Sequence, residues 1–276
     1  MITGIIGTGN MGTILTQSLI GSSVVAANDL IITNRTIHKA ERLAAEFPGI
    51  HVSHSSIELV KQADLIFLCV KPHEMFPLLE VLEPHLTSEK CIVSITSPIS
   101  IRQLEATLSC SCARFIPSIT NRALSGATLL TFGDACSTYW QNCLQHLASA
   151  ISKPLEIDNQ YTRVSSDIVS CGPAFFSYIA RQFAEAAVDY TGISEEEAVQ
   201  LTESMLIGLG ELLRQQHYSL LALQEKVCVK GGITGEGIKV LENELGDVFK
   251  HVFQATHQKF KEDLKGIENQ FEVPYY

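Results

Sequence analysis

The sequence predicts an α/β fold, a doubly wound parallel sheet, in its first half and an all-helical second half. Short apolar runs alternate with helical runs up to about residue 155, an order typical of a parallel sheet covered by helices. Beyond that point the strand signals end and long helical runs follow one another. A glycine-rich turn between the first strand and the first helix favours the same fold class.

Six runs in the first half are predicted strands. They are residues 1–6, 30–33, 64–70, 91–95, 113–116 and 127–131. The third run is almost wholly apolar, which is typical of a strand buried on both faces. Helices are predicted at residues 14–20, 37–47, 74–82, 101–108 and 137–149.

Five helices are predicted in the second half, at residues 173–190, 194–213, 220–226, 235–245 and 248–264. Ser194, followed by three glutamates, is a good helix start, because a capping hydroxyl precedes acids near the positive helix end. Small residues on these helices suit either close packing in a helix-swapped dimer or simple core packing. We therefore expect a dinucleotide-binding domain at residues 1–155, a helical domain at 160–265 and a frayed tail at 266–276.

The composition excludes several classes of protein. A formal net charge of −10 argues against nucleic acid and acidic membranes as partners. No run is long and apolar enough to span a membrane, and the start lacks the basic region of a signal peptide. The eight cysteines include no C-x-x-C pair, so we expect buried free thiols and no metal site. A cytoplasmic protein is expected.

The turn after the first strand carries the pattern G-x-G-x-x-G. It reads Gly7-Thr8-Gly9-Asn10-Met11-Gly12. In this pattern the first glycine allows a tight turn, the second lets the backbone approach a pyrophosphate, and the third lets helix and strand pack closely. Residues 7–12 are therefore predicted to bind a dinucleotide at the helix N-terminus. The alternative is a glycine-rich turn without a ligand.

The end of the second predicted strand bears on which dinucleotide binds. NAD-binding folds usually carry an acid there, but this chain has Asn34 and Arg35. Arg35 can pair with a 2′-phosphate, and Lys39 lies one helical turn further on. The cofactor is therefore expected to be NADP(H) rather than NAD(H), with Asn34 and Arg35 among its ligands. The alternative is that Arg35 is an ordinary solvated charge.

Three further segments are candidate binding sites. They are Val70-Lys71-Pro72 after the buried strand, Cys171-Gly172-Pro173-Ala174 at a helix start, and the glycine-rich residues 230–237. Ligands bind at the carboxyl ends of strands in open α/β sheets, where Lys71 can reach a ribose, phosphate or amide. Backbone N–H groups in the glycine-rich segment can hold a carboxylate. The alternatives are a surface lysine and a flexible connection between helices.

Together these motifs resemble the pyrroline-5-carboxylate reductase family over residues 2–265. The matching segments are residues 7–12, Val70-Lys71-Pro72, Gly172-Pro173-Ala174 and Lys230-Gly231-Gly232-Ile233-Thr234, which aligns with the family's Pro-Gly-Gly-Thr-Thr loop. Residues 118–123 and 225–232 resemble a subgroup called ComER, encoded with late-competence genes. The resemblance implies a Rossmann-type NAD(P)-binding domain, a helical domain that interlocks with a second subunit, and reduction of a cyclic imine to proline.

The resemblance also implies roles for individual residues. Thr234 is a candidate catalytic residue that orients the ring nitrogen of the imino acid and can donate a proton; Lys71 is the second candidate. The substrate carboxylate is expected to accept hydrogen bonds from the backbone N–H groups of Gly231, Gly232 and Ile233. Lys230 adds positive charge beside them. Cys171 is a further candidate for substrate binding. The cofactor set is Gly7, Thr8, Gly9, Asn10, Met11, Gly12, Asn34, Arg35, Val70, Lys71 and Pro72.

The sequence departs from the family mainly in the substrate half. Lys230 replaces the loop's proline, Ile233 replaces a threonine, and Ser118 replaces an asparagine. A second interpretation therefore stays open: a weakly active or inactive regulatory protein that binds a nucleotide or imino acid. A related reductase for another substrate, such as a 3-hydroxy acid, is a third. The absence of a lysine from residues 173–190, where such enzymes carry a catalytic one, counts against it.

Overall fold

The first half of the chain forms one eight-stranded sheet in the computed structural model, which describes residues 1–267 and 269–276. The strands are β1 (Thr3–Ile6), β2 (Leu30–Thr33), β3 (His51–Val52), β4 (Leu65–Leu68), β5 (Cys91–Ser94), β6 (Ser111–Ile116), β7 (Ala127–Phe132) and β8 (Lys153–Glu156). Their spatial order is β3-β2-β1-β4-β5-β6-β7-β8. The predicted doubly wound α/β fold is confirmed. All six predicted strands are present, and β3 and β8 were missed.

The sheet is not parallel throughout, in contrast to the prediction. The strands β1 to β6 are parallel, β7 runs antiparallel to β6, and β8 runs parallel to β7. The connection between β6 and β7 contains only a short 3₁₀ turn at Ile119–Ala123. A parallel neighbour would need a longer crossover, usually through an α-helix, so the chain turns back instead.

Helices cover the sheet and make up the second half. They are α1 (Asn10–Gly21), α2 (Ile37–Glu46), α3 (Ser56–Gln62), α4 (Pro72–Leu82), α5 (Ile101–Thr107), α6 (Thr138–Ile151), α7 (Thr162–Ser166), α8 (Gly172–Thr191), α9 (Glu195–Arg214), α10 (Leu220–Val227), α11 (Ile233–Glu244) and α12 (Val248–Ile267). A π-helical stretch at Asp167–Cys171 leads into α8. Within the described residues, no helix combines the length and apolar character that a membrane crossing requires.

The core forms two apolar layers, one on each face of the sheet. Along β1, Ile5 belongs to one layer and Ile6 to the other, and Phe67 and Leu68 divide in the same way on β4. Side chains of α1, α2 and α6 complete the first layer, and those of α3, α4 and α5 complete the second. Burial on both faces explains why the central strands are apolar without alternation.

The chain divides into two compact units. The first combines residues 1–172 with residues 255–276, and the second comprises residues 173–254. This division lies later than the boundary expected from the sequence at residues 155–160. Residues 156–172 fall in the first unit, and Thr162 and Asp167 are buried there.

Residues 269–276 are packed rather than frayed. Position 268, which belongs to the predicted tail, lies outside the described residues. Phe271 and Tyr275 are buried, and the ring of Phe271 meets Phe76 edge to face. The Tyr275 hydroxyl donates to the Ser97 carbonyl at 2.9 Å and accepts from the fully buried Arg114 at 3.2 Å. The prediction of a frayed tail was wrong because these contacts lie far apart in sequence.

Arg114 is held by neutral acceptors in the interior. Besides Tyr275, its guanidinium donates to the hydroxyls of Thr162 at 2.6 Å and Thr131 at 3.3 Å, and to the Ile99 carbonyl at 3.3 Å. Burial lowers the pKa of Arg114, and the adjacent Tyr275 hydroxyl works in the opposite direction. Because a buried polar group is costly once a partner is lost, the tail contributes to stability through this cluster.

We expect the Tyr275→Phe substitution to lower the free energy of unfolding by about 1–3 kcal/mol, since it leaves a buried carbonyl and a guanidinium N–H short of a partner. Denaturation in urea measures the change. Tyr276→Phe is the matched control, because Tyr276 is 68% exposed. Equal unfolding midpoints for both variants would contradict a stabilising role for the Tyr275 hydroxyl.

Candidate functional site

Two glycines at the junction of β1 and α1 occupy positions where no side chain fits. Gly7 has a φ of +103°, and a Cβ there would lie 2.4 Å from the Cys69 carbonyl oxygen. A Cβ on Gly12 would lie 1.9 Å from the Gly7 carbonyl oxygen. Any substitution at either position must therefore move the backbone. The two glycines bring the start of α1 close to the carboxyl ends of β1 and β4.

Gly9 differs from these two glycines. No atom lies within 4 Å of the position that a Cβ would occupy, and its φ of −77° is open to any residue. The first N–H groups of a helix have no intrahelical acceptor, and Gly9, the N-cap of α1, has no side chain that could accept from them. The turn thus presents an open backbone surface at a positive helix end, which fits an anionic group such as a pyrophosphate.

A cavity of about 770 Å³ opens beside this turn. Of the predicted cofactor residues, six line it: Gly7, Gly9, Asn34, Arg35, Val70 and Lys71. The other five do not line it. Thr8 lies in the glycine turn, Asn10, Met11 and Gly12 begin α1, and Pro72 begins α4. The cavity lies where the strand order reverses between β1 and β4, the usual place for a ligand in such sheets.

Asn34 ties the glycine turn to the end of β2. Its Oδ1 accepts from the Thr8 backbone N–H at 3.0 Å, and its Nδ2 donates to the Thr36 carbonyl at 3.0 Å. In the sequence, Asn34 drew attention only because it stands where NAD-binding folds usually carry an aspartate or glutamate. In the structure the amide joins two of the predicted binding segments.

Several lining residues were not singled out from the sequence. They are Ile6, Thr33, Thr36, Ile37, His54, Ser55, Ser56, Cys69, His73, Glu74, Pro77 and Leu78. Residues 54–56 follow β3, whose two residues are too short to give a strand signal. Ser55 caps α3 by accepting from the N–H groups of Ile57 and Glu58. The S-x-x-E pattern of residues 55–58 is a helix-start signal from which this segment could have been predicted.

Glu74 joins the two strand ends that border the cavity. One of its oxygens lies 2.6 Å from an Arg35 guanidinium nitrogen, and the other accepts from the Lys71 backbone N–H at 3.3 Å. The predicted 2′-phosphate ligand Arg35 is therefore engaged by a carboxylate. Lys71 itself is exposed as the N-cap of α4, and Lys39 also lines the cavity.

Cys171, a predicted substrate residue, lies in the π-helical stretch of the first unit. Its sulfur is 3.6 Å from a guanidinium nitrogen of Arg163, which also pairs with the buried Asp167 at 2.7 Å and donates to Ser97 at 3.3 Å. Burial raises the pKa of the Cys171 thiol, and Asp167 adds to this effect while Arg163 opposes it. The thiol is therefore neutral at ordinary pH and suits packing or weak hydrogen bonding rather than nucleophilic attack.

The remaining predicted substrate residues lie in the second unit, at the start of α11. Gly231 has a φ of +74°, Gly232 is the helix N-cap without a side-chain capping bond, and Ile233 begins the helix. The helix starts two residues before the predicted position, so Thr234 lies in its first turn. Lys230 and Thr234 are exposed, and Ile233 is 93% exposed. The N–H groups of this turn have the character expected of an anion site.

Two family models match the chain, one in each half. Residues 2–98 match a family described as NADP oxidoreductase, coenzyme F420-dependent, and residues 159–263 match pyrroline-5-carboxylate reductase dimerisation. ComE operon protein 4 of Bacillus subtilis is 49% identical over 99% of this chain and 100% of its own length. Pyrroline-5-carboxylate reductase 3 of the same organism is 33% identical over 94% of this chain and 95% of its own length.

The chain belongs to the pyrroline-5-carboxylate reductase family. The resemblance seen in the motifs is confirmed, and with it the assignment to a family of NAD(P)-dependent oxidoreductases. A solved pyrroline carboxylate reductase of Plasmodium falciparum with NADP bound has the same fold, with a TM-score of 0.81 at 20% identity over 96% of this chain and 97% of that one. In this chain the segment that matches the oxidoreductase model precedes the segment that matches the dimerisation model. This is the order of the Rossmann-type and helical parts that the sequence predicts.

Gly9 offers a direct test of the cavity as a dinucleotide site. We expect Gly9→Ala to fold normally and to weaken dinucleotide binding about tenfold or more, because a methyl group on this open surface would crowd the bound pyrophosphate. Fluorescence titration of the reduced nicotinamide measures the affinity. Gly21→Ala, at the far end of α1 with equally open surroundings, is the control. Unchanged affinity in the Gly9 variant would rule out close approach of a ligand at this turn.

Proposed function

We propose that this protein is a pyrroline-5-carboxylate reductase-like oxidoreductase that uses NADPH to reduce the C=N bond of 1-pyrroline-5-carboxylate to L-proline. The observation that carries the proposal is the cavity at the strand-order reversal, where Gly9 leaves the helix N-terminus open. Membership of the reductase family supports the reaction class. Arg35 at the end of β2 supports NADP(H), since an arginine there suits a 2′-phosphate. The proposed compartment is the cytoplasm, which suits eight free cysteines.

In this proposal the cofactor binds along the glycine turn, and the chain supplies position and charge. The N–H groups at the start of α1 hold the pyrophosphate, and Val70, Lys71 and Pro72 border the ribose and amide end. When bound, the reduced nicotinamide supplies a hydride to the C=N carbon of the imine. Lys71 contributes an exposed cation at the strand end, where it can orient the cofactor.

The substrate is proposed to bind at the first turn of α11. The carboxylate accepts from the N–H groups near Gly231, Gly232 and Ile233, with Lys230 adding positive charge. Thr234 orients the ring nitrogen by a hydrogen bond and can pass it a proton, which water returns to the Thr234 oxygen. A hydroxyl is a weak acid, so solvent is an alternative proton source. Cys171 is the remaining proposed substrate contact, as a neutral thiol.

The proposal is tested by following oxidation of NADPH with 1-pyrroline-5-carboxylate, and repeating the assay with NADH. Saturable oxidation that produces proline is expected. Thr234→Ala should lower kcat about tenfold or more and leave cofactor affinity unchanged, because it removes only a substrate hydrogen bond. Thr87→Ala, which removes a hydroxyl from an exposed position of the first unit, is the control. Absence of oxidation by the wild-type protein, with NADPH still bound, would reject the reductase proposal.

A second candidate function is a regulatory protein of the same fold with little turnover. Two observations favour it: the exposed Ile233 replaces a threonine of the family loop, and one relative is named for the ComE operon. Binding of NADPH or of the imino acid without turnover is the outcome that this alternative requires.

We also propose that the chain forms a homodimer or a larger homo-oligomer through its second unit. A groove of about 520 Å³ between α8 and α9 has mainly apolar walls, including Phe176, Val199 and Leu206. Large apolar side chains of the same helices are exposed, among them Phe183 at 67%, Tyr190 at 92% and Ile207 at 74%. Exposed apolar surface of this extent is typical of an interface between subunits.

Light scattering should give at least twice the chain mass for the wild-type protein. Ile207→Asp should shift the mass towards that of a single chain, because a buried unpaired carboxylate is costly at an apolar interface. Ser109→Asp adds the same charge at an exposed position of the first unit, outside the two helices, and is the control. An unchanged mass for the Ile207 variant would exclude this helix face from the interface.

A further inference from the structure

An ion pair between Arg35 and Glu74 lies at the cavity, at the place where the cofactor's 2′ substituent is proposed to bind. The two side chains come from different segments: Arg35 follows β2, and Glu74 lies in the first turn of α4. Their closest nitrogen and oxygen atoms are 2.6 Å apart, and both residues line the cavity. The guanidinium that suits a phosphate is thus already held by a carboxylate.

The Glu74 carboxylate is held in place and charged. Its second oxygen accepts from the Lys71 backbone N–H at 3.3 Å, which fixes the group at the N-terminus of α4. Partial burial acts to raise the pKa of Glu74, but the Lys71 N–H and the Arg35 guanidinium outweigh it and hold the pKa below its usual range. Glu74 is therefore an anion at neutral pH.

The pair is nevertheless weak enough to be displaced. The Arg35 side chain is 87% exposed and that of Glu74 is 28% exposed, so water screens their attraction. Exposed ion pairs contribute little stability, and a phosphate can compete for the same guanidinium. Two terms reduce the binding free energy of the 2′-phosphate. It must displace the Glu74 carboxylate from Arg35, and it is then repelled by the negative charge of that carboxylate. A ribose with a free 2′-hydroxyl meets neither cost.

We infer that Glu74 is a specificity-determining residue of the dinucleotide site, which lowers the preference for NADP(H) over NAD(H) by competing with the 2′-phosphate for Arg35. This inference rests on the proposed dinucleotide function. The other cations that line the cavity, Lys39, Lys71 and, when protonated, His54 and His73, still favour an anionic ligand. Glu74 therefore reduces the preference for the phosphorylated cofactor and does not reverse it.

The experiment compares the dissociation constants of NADPH and NADH for the full-length protein and for Glu74→Gln. The glutamine keeps an oxygen that can accept from the Lys71 N–H, so the cap of α4 is retained while the charge is lost. We expect NADPH to bind about three- to tenfold more tightly and NADH to change less than about twofold. Glu80→Gln, which removes a charge from an exposed position of the same helix, should change neither.

Arg35→Ala provides the second arm. It should weaken NADPH far more than NADH, and the gain from Glu74→Gln should shrink when both changes are combined, since there is then no guanidinium to compete for. An equal effect of Glu74→Gln on both cofactors, or no effect on NADPH, overturns the inference while leaving dinucleotide binding intact. Failure of the wild-type protein to bind either cofactor instead overturns the proposed function, and the inference with it.

Discussion

The close approach of α1 to the β1 turn is the constraint on which the candidate site depends. The start of the helix lies so near the strand that a single methyl group on Gly12 would overlap the Gly7 carbonyl oxygen. This contact directs the unpaired N–H groups of α1 to the point where the strand order reverses. The ends of β2 and β4 reach the same cavity, so residues distant in sequence share one site.

The parts of the fold with strong local signals were predictable from the sequence. The central strands are apolar because both of their faces are buried, and the helices of the second unit have clear periodicity and caps, as at Ser194. The shortest strand, β3, and the exposed β8, which contains Pro154, gave too little signal. The antiparallel direction of β7 follows from the short connection between β6 and β7. The pattern of apolar residues does not predict strand direction.

The candidate site was predictable to the extent that it is built from contiguous motifs. The glycine turn and the segment after β4 are such motifs, and Gly7, Gly9, Val70 and Lys71 meet at the cavity. The role of Glu74 was not predictable, because its partner Arg35 is 39 positions away and no pattern links them. Asn34 was noticed for the acid that it replaces, whereas its bond to Thr8 emerges only from the folded chain. At the start of α11, Ile233 is 93% exposed, so a substitution there costs the fold little.

The sheet unit is discontinuous in the chain, since residues 255–276 belong with residues 1–172. During synthesis the ribosome releases the amino-terminal strands long before the segment that carries Tyr275 emerges. Until then Arg114 lacks one of its partners, and the apolar surface that Phe271 covers stays open to water. Completion of the sheet unit therefore depends on residues 255–276, and without them part of one apolar layer would be exposed to water.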